Sequence, residues 1–196
     1  MPPPPPAFPL RRSTPRPWRP LTDAEWQALS AILHRSGRGR PPRDARRCWD
    51  GIFWIACSKL PWRALPPAFG RADSAHRALR RAAAAHHLHR MLLRVSDHPG
   101  FAGDALQPIE WFIVRAWRRA FRITPGAIAF ARRLGLASAL PAEPFWLPQP
   151  DLSEAVAAIA RKAAKWAGGL PLEFLQALHF LMRRAGGEPR MWRTTG

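Results

Sequence analysis

The sequence predicts an all-α protein. Helix-capping signals recur along the chain, apolar residues return at helical spacing, and no strand-like alternation of useful length or internal repeat occurs. The length, 196 residues, suits one domain or two small ones, and a hydrophobic fraction of 47% is enough for a globular core.

Residues 1–20 form a Pro/Arg stretch. Six prolines in the first nine residues lack amide donors and favour an extended, solvated chain, so a disordered tail is expected. Helix grammar begins at Leu21. Thr22 and Glu25 form a capping box, and Leu21 with Trp26 fits a hydrophobic staple. Trp26, Leu29, Ile32 and Leu33 make an apolar stripe, which sets a first helix from Asp23 to Leu33. An Arg/Gly/Pro loop follows, from Arg35 to Arg43. Asp44 then caps a second helix that turns Cys48, Trp49, Ile52, Phe53, Ile55 and Ala56 inward and stops before Pro61. Residues 61–70 read as a compact turn. A third helix starts near Asp73 or Ser74 and runs unbroken through the Ala82–Ala85 tract to Val95, because alanine is the best helix former. Asp97-His98-Pro99-Gly100 ends it.

Pro108 opens a helix with Ile109, Phe112, Ile113, Ala116, Trp117 and Phe121 on its apolar face. Thr124-Pro125 reads as an N-cap and N1 proline for another helix, which ends at Gly135. Residues 138–150 hold four prolines and no basic residue, the composition of a linker or a wrapped loop. Asp151 and Glu154 start a helix that closes at Gly168-Gly169, and Leu170-Pro171 leads into a last helix ending near Gly186. The expected organisation is thus a helical domain over 21–101, a helical extension over 102–137, a linker over 138–150, a helical pair over 151–188 and a tail over 189–196.

The charge is lopsided: 31 Lys+Arg against 13 Asp+Glu, a net +18. A polyanionic partner is implied, and an acidic cofactor-binding enzyme is disfavoured. The excess is +4 in the tail, +8 in residues 21–101 and +3 in each of 102–150 and 151–196. Only Lys59, Lys162 and Lys165 are lysine, a bias that genomic base composition could produce. The start has neither the apolar core of a signal peptide nor the pattern of a transit peptide, and no stretch is long and apolar enough to span a membrane. A cytoplasmic protein is expected. Cys48 and Cys57 on one helix would be separated by roughly 13 Å of rise, too far for a mutual disulfide.

Helix two, the turn and helix three make a helix-turn-helix candidate. On helix three, Ala75, Leu79 and Ala82 fall on one side and Arg77, Arg80 and Arg81 on another. The loop contains Arg38-Gly39-Arg40-Pro41, which matches an AT-hook core suited to a narrow minor groove. The DNA-binding set is therefore Arg38, Arg40, Arg43, Arg46, Arg47, Ser74, Arg77, Arg80 and Arg81. His86, His87 and His89 have no cysteine or acid nearby to complete a zinc site, so a solvated or packed trio is expected, with no metal and no cofactor. Arg161, Lys162 and Lys165 lie opposite Val156, Ile159, Ala163 and Trp166 on a helix expected to pack on its neighbours.

The run Leu21-Thr22-Asp23-Ala24-Glu25-Trp26 resembles the opening of the helical N-terminal domain of bacterial insertion-element transposases of the DDE type. The resemblance continues through residues 36–44, Asp50-Gly51-Ile52-Phe53-Trp54, Pro61-Trp62-Arg63-Ala64-Leu65-Pro66 and Phe69-Gly70, covering about residues 21–95. It implies a domain that helps recognise the element's DNA ends ahead of a ribonuclease-H-like catalytic domain. The chain departs from the family in three places, one of them on helix three, where His76 and Leu79 replace aromatics. Ala72-Asp73-Ser74 replaces a Trp-Ser-Thr sequence, and Lys59 replaces a glycine near the end of helix two. A left-handed backbone there would cost lysine about 1–2 kcal/mol. A DDE core needs three spaced carboxylates holding two metal ions on a sheet-containing domain. The acids after position 101 (Asp104, Glu110, Glu143, Asp151, Glu154, Glu173 and Glu188) fall in caps, linkers and helices, so no catalysis is expected. The expected partners are double-stranded DNA and a catalytic transposase chain acting in trans, with no membrane. The alternatives are a helical protein-interaction module and a decayed remnant with incidental charge.

Overall fold

The computed structural model describes residues 9–33, 44–124, 126–165 and 169–188. Among these residues the chain is all-α: eight α-helices joined by turns and short 3₁₀ segments, with one isolated β-bridge, Arg11 to Leu136. It divides into two compact units, residues 1–139 and 140–196. The stretch expected as an extension, 102–137, lies in the same unit as 21–101.

In the first unit, α1 (Asp23–Leu33) starts at the expected capping box. The Thr22 amide donates to Glu25 Oε2 at 2.8 Å and the Glu25 amide to Thr22 Oγ1 at 3.3 Å. α2 (Ala45–Ser58) starts at Asp44, whose carboxylate accepts from the Arg47 amide at 2.9 Å. It ends on Lys59, in the left-handed region at φ 61. Two 3₁₀ turns, Trp62–Ala64 and Pro67–Phe69, fill the connection to α3 (Ala72–Ala84). This connection is longer than the roughly three- or four-residue turn of a helix-turn-helix.

The long third helix of the sequence reading is two helices. α3 stops at Ala84, His86 takes a left-handed conformation at φ 56, and α4 (His87–Arg94) begins anew. Alanine propensity favours continuation, but packing overrides it: the break lets α4 bury Leu88, Met91 and Leu92 where it meets α5 and α1. α5 (Glu110–Ala120) follows a 3₁₀ turn over Gln107–Ile109 and packs on α2 more extensively than any other pair of helices. Phe53 of α2 and Phe112 of α5 meet with ring centroids 6.0 Å apart, and both are buried. Thr124 does not cap the next helix. Its hydroxyl donates back to the Ala120 carbonyl at 2.9 Å, and α6 (Ala127–Arg133) starts after Gly126 at φ 65. Four backbone carbonyls at a helix end need partners, and Thr124 supplies one for α5.

The N-terminal stretch is not free from Arg11 onward. Arg11 Nε donates to Asp97 at 2.7 Å and its Nη1 to Glu110 at 2.6 Å, while the Arg11 amide and carbonyl bond to Gly135 and Ala137. Trp18 meets Phe69 edge to face at 5.4 Å, and Arg19 pairs with the buried Glu25 at 2.5 Å. The forked guanidinium of Arg11 matches two carboxylates brought together by distant parts of the chain, and this fixes a segment with little secondary structure of its own.

In the second unit, α7 (Pro150–Ala163) packs on α8 (Leu172–Gly186). α7 ends ahead of the expected Gly168-Gly169. The proline-rich stretch wraps rather than links: Leu147 is buried, the Gln149 amide donates to the Ala185 carbonyl at 2.9 Å, and the Glu188 amide donates to the Trp146 carbonyl at 2.7 Å. A Cβ at Gly187 would lie 2.6 Å from that same stretch, at the Leu147 carbonyl carbon.

Candidate nucleic-acid interface

α3 is positioned by its buried face. Ala75, Leu79, Ala82 and Ala83 are buried, and the helix packs against α2, α4, α5 and the 3₁₀ turn Trp62–Ala64. His76 is held against Trp62 with ring centroids 5.2 Å apart. Helical geometry then forces Asp73, Ser74, Arg77, Arg80 and Arg81 outward, and all five are exposed. Arg77 Nε makes a long contact, 3.4 Å, to the Asp73 carbonyl one turn back. Arg80 and Arg81 make no hydrogen bond or ion pair among the described residues.

The residues of the Asp-Gly-Ile-Phe-Trp motif tie α2 to the start of α1 and to the turn that leads into α3. The Asp50 carboxylate accepts the Leu21 amide at 2.9 Å, and Arg46 donates to the Leu21 carbonyl, so both backbone groups of Leu21 are held by α2. Burial pushes the Asp50 carboxyl above its usual range, against the pull of the Leu21 amide and Arg46. Gly51 lets Phe69 approach: a Cβ there would lie 2.6 Å from the Phe69 Cβ. Phe69 is also flanked by Trp54 at 6.2 Å.

The predicted site residues therefore separate. Ser74, Arg77, Arg80 and Arg81 share one exposed face. Arg46 and Arg47 are engaged in the fold: Arg46 also pairs with Asp23 at 2.6 Å, and Arg47 donates to the Ala68 and Pro67 carbonyls. Arg38, Arg40 and Arg43 lie outside the described residues. Arg63, on the 3₁₀ turn packed against α3, and Arg71, at the α3 N-cap, are both exposed and were not singled out from sequence. Their signal was position: Arg63 lies within the turn's motif and Arg71 directly follows the turn.

Two arginines of α5 serve the fold. Arg115 Nε donates to the Ala56 carbonyl at 3.2 Å and Arg119 to the Leu60 carbonyl at 2.7 Å, at the negative end of α2. Arg119 also sits 5.0 Å above the Trp62 ring. Burial lowers the pKa of both guanidinium groups. Cys48 and Cys57 are free thiols, and burial pushes Cys57 up to about 11. His89 is packed among Trp117, Phe130 and His86, with centroids 4.8–4.9 Å away. No group of three His, Cys, Asp or Glu suited to a metal occurs among the described residues, and none of their helices is long and apolar enough to cross a membrane.

No curated protein and no solved structure matches the chain. Residues 21–92, which run from the capped start of α1 into α4, match the family model described as "Putative transposase of IS4/5 family", and this similarity is consistent with the N-terminal domain of an insertion-element transposase.

Proposed function

We propose that residues 21–92 bind double-stranded DNA, with the outer face of α3 entering the major groove, as an end-recognition domain does. The observation that carries this reading is the exposed Arg77, Arg80 and Arg81 on a helix whose opposite face is locked into the core. Ser74 at the start of α3 supplies a neutral hydroxyl for a phosphate. Arg63 and Arg71 extend the basic surface at its flank. Arg38, Arg40 and Arg43 are proposed as backbone or minor-groove contacts beside it. Arg46 and Arg47 contribute charge from places fixed by the fold.

In this reading the strand chemistry comes from a catalytic transposase chain in trans. Consistent with that, the matched segment ends before α5, and two of the acids that follow are held in ion pairs. Asp104 is bonded to Arg94 at 2.6 Å and Glu110 to Arg11. The isolated chain is expected to leave duplex DNA uncut with Mg²⁺ or Mn²⁺.

The test is binding to matched A·T-rich and G·C-rich duplexes across a salt series. Neutralising five or six phosphates gives a log–log slope of roughly −4 to −5. If Arg77 or Arg80 reads guanine, alanine there costs about 1–3 kcal/mol at a few base pairs. If they touch phosphate alone, the slope becomes shallower by about one unit each for every sequence. Arg38→Ala/Arg40→Ala should weaken A·T-rich binding most. Affinity indifferent to salt and to all of these variants would remove the DNA reading and leave a protein-interaction module.

A further inference from the structure

Exposed apolar surface is concentrated in the second unit. On α8 alone Leu172 is 70% exposed, Phe180 64%, Met182 55% and Leu175 44%. A unit of two helices and a wrapped loop has too little interior to bury such side chains itself. Its charge is nearly balanced, with 7 Lys/Arg against 5 Asp/Glu over residues 140–196, so it has little electrostatic pull on a polyanion.

Leu172, Leu175 and Met182 lie on one side of α8, and Phe180 lies apart from them in a stripe of its own. Glu173, Ala177, Phe180 and Arg184 follow one another at spacings of four, three and four, which places them within an arc of about 60°. All four are exposed, and neither Glu173 nor Arg184 has an ion pair among the described residues. The side chains turned inward, Leu178, Leu181 and Ala185, lie on a different face. The stripe is symmetric about the midpoint between Leu178 and His179. A second α8 laid antiparallel across it sets acid against base at both ends and large against small in the middle. Such self-complementarity is what a two-fold interface requires.

We propose that α8 pairs antiparallel with α8 of a second copy of this chain. Glu173 faces the partner's Arg184, and Phe180 covers the partner's Ala177. The pairing involves no residue of the segment proposed to bind DNA and stands without that reading.

Sedimentation equilibrium on the full chain tests it. The expected mass is twice 22.1 kDa at protein concentrations up to about 100 µM. Phe180→Glu should weaken the dimer at least about 10-fold, by placing two carboxylates in its centre. Glu173→Arg and Arg184→Glu alone should each weaken it by roughly 3- to 10-fold, because the symmetry repeats each clash twice. The double swap Glu173→Arg/Arg184→Glu should return to within about threefold of the original, since both pairs re-form with the signs exchanged. Far-UV circular dichroism and monomer melting should be unchanged in these exposed positions. A monomer throughout the range overturns the proposal, and one that instead partitions onto anionic vesicles assigns α8 to a lipid surface. A dimer indifferent to Phe180→Glu, or a double swap no better than its single changes, also overturns it.

Discussion

Lys59 ends α2 in a backbone conformation that costs an L-residue with a side chain about 1–2 kcal/mol. Its side chain is exposed, so nothing in its packing offsets that cost. Lys59→Gly should raise stability by about 0.5–1 kcal/mol, the gain being trimmed by the greater freedom of glycine in the unfolded chain. Chemical denaturation measures it, and an unchanged midpoint would mean the strain is absent. Asp50 has the opposite character. Its carboxylate is needed by the Leu21 amide, yet burial disfavours its charge. Asp50→Asn keeps an acceptor without the charge and should be neutral or stabilising at pH 7. Asp50→Ala orphans a buried amide and should cost about 1–3 kcal/mol. Glu25 is also buried. Burial alone would push its carboxyl up, but the hydrogen bonds from Arg19 and Thr22 outweigh it and hold the carboxyl below its usual range. A lowered folded-state pKa contributes stability that is complete above the unfolded value, about 4.3, and lost as pH falls below it. Arg19→Ala should therefore cost about 1–2 kcal/mol at pH 7, and the deficit should shrink in melts near pH 3.

At the scale of elements, what the sequence made legible was local. The Thr22–Glu25 box and the Asp44 cap each use partners three residues apart, and α1 and α2 begin where those signals placed them. The outward set on α3 was equally legible, because helical period alone separates Arg77 from Leu79. What could not be read depends on distant parts of the chain. Arg11 is fastened to Asp97 and Glu110, 86 and 99 positions away, so the tail looked free. The break at His86 is set by where α4 must pack, and the roles of Arg46 and Arg47 by backbone carbonyls of other elements. Gly51 joins the two kinds. As a motif residue it was visible, but its reason, contact with Phe69, is tertiary. Gly51→Ala should cost about 1–3 kcal/mol through overpacking. If the Phe69 turn presents α3, the variant should also bind duplex DNA more weakly even where it remains folded, as titration below its melting transition would reveal.

Across the whole molecule the charge is divided as sharply as the fold. Residues 1–139 carry 24 Lys/Arg against 8 Asp/Glu, and residues 140–196 carry 7 against 5. One unit offers a polyanion an attractive field, and the other offers a protein an apolar helix. Hydrogen exchange on the intact chain can read both at once. A ligand that binds only the folded state stabilises what it touches, by about 2.7 kcal/mol when its free concentration is 100 times Kd. Duplex DNA at low salt should therefore slow exchange in α2 and α3 by up to about 100-fold where exchange requires unfolding of the first unit, and this protection should fade as salt rises. Raising the protein concentration without DNA should slow exchange in α8 while leaving α3 unchanged. Mixing the two experiments should give both protections together, because the surfaces share no residue. DNA that protects α8 and spares α3 would reverse the assignment, placing nucleic acid on the apolar helix and leaving the arginines of α3 as a solvated face.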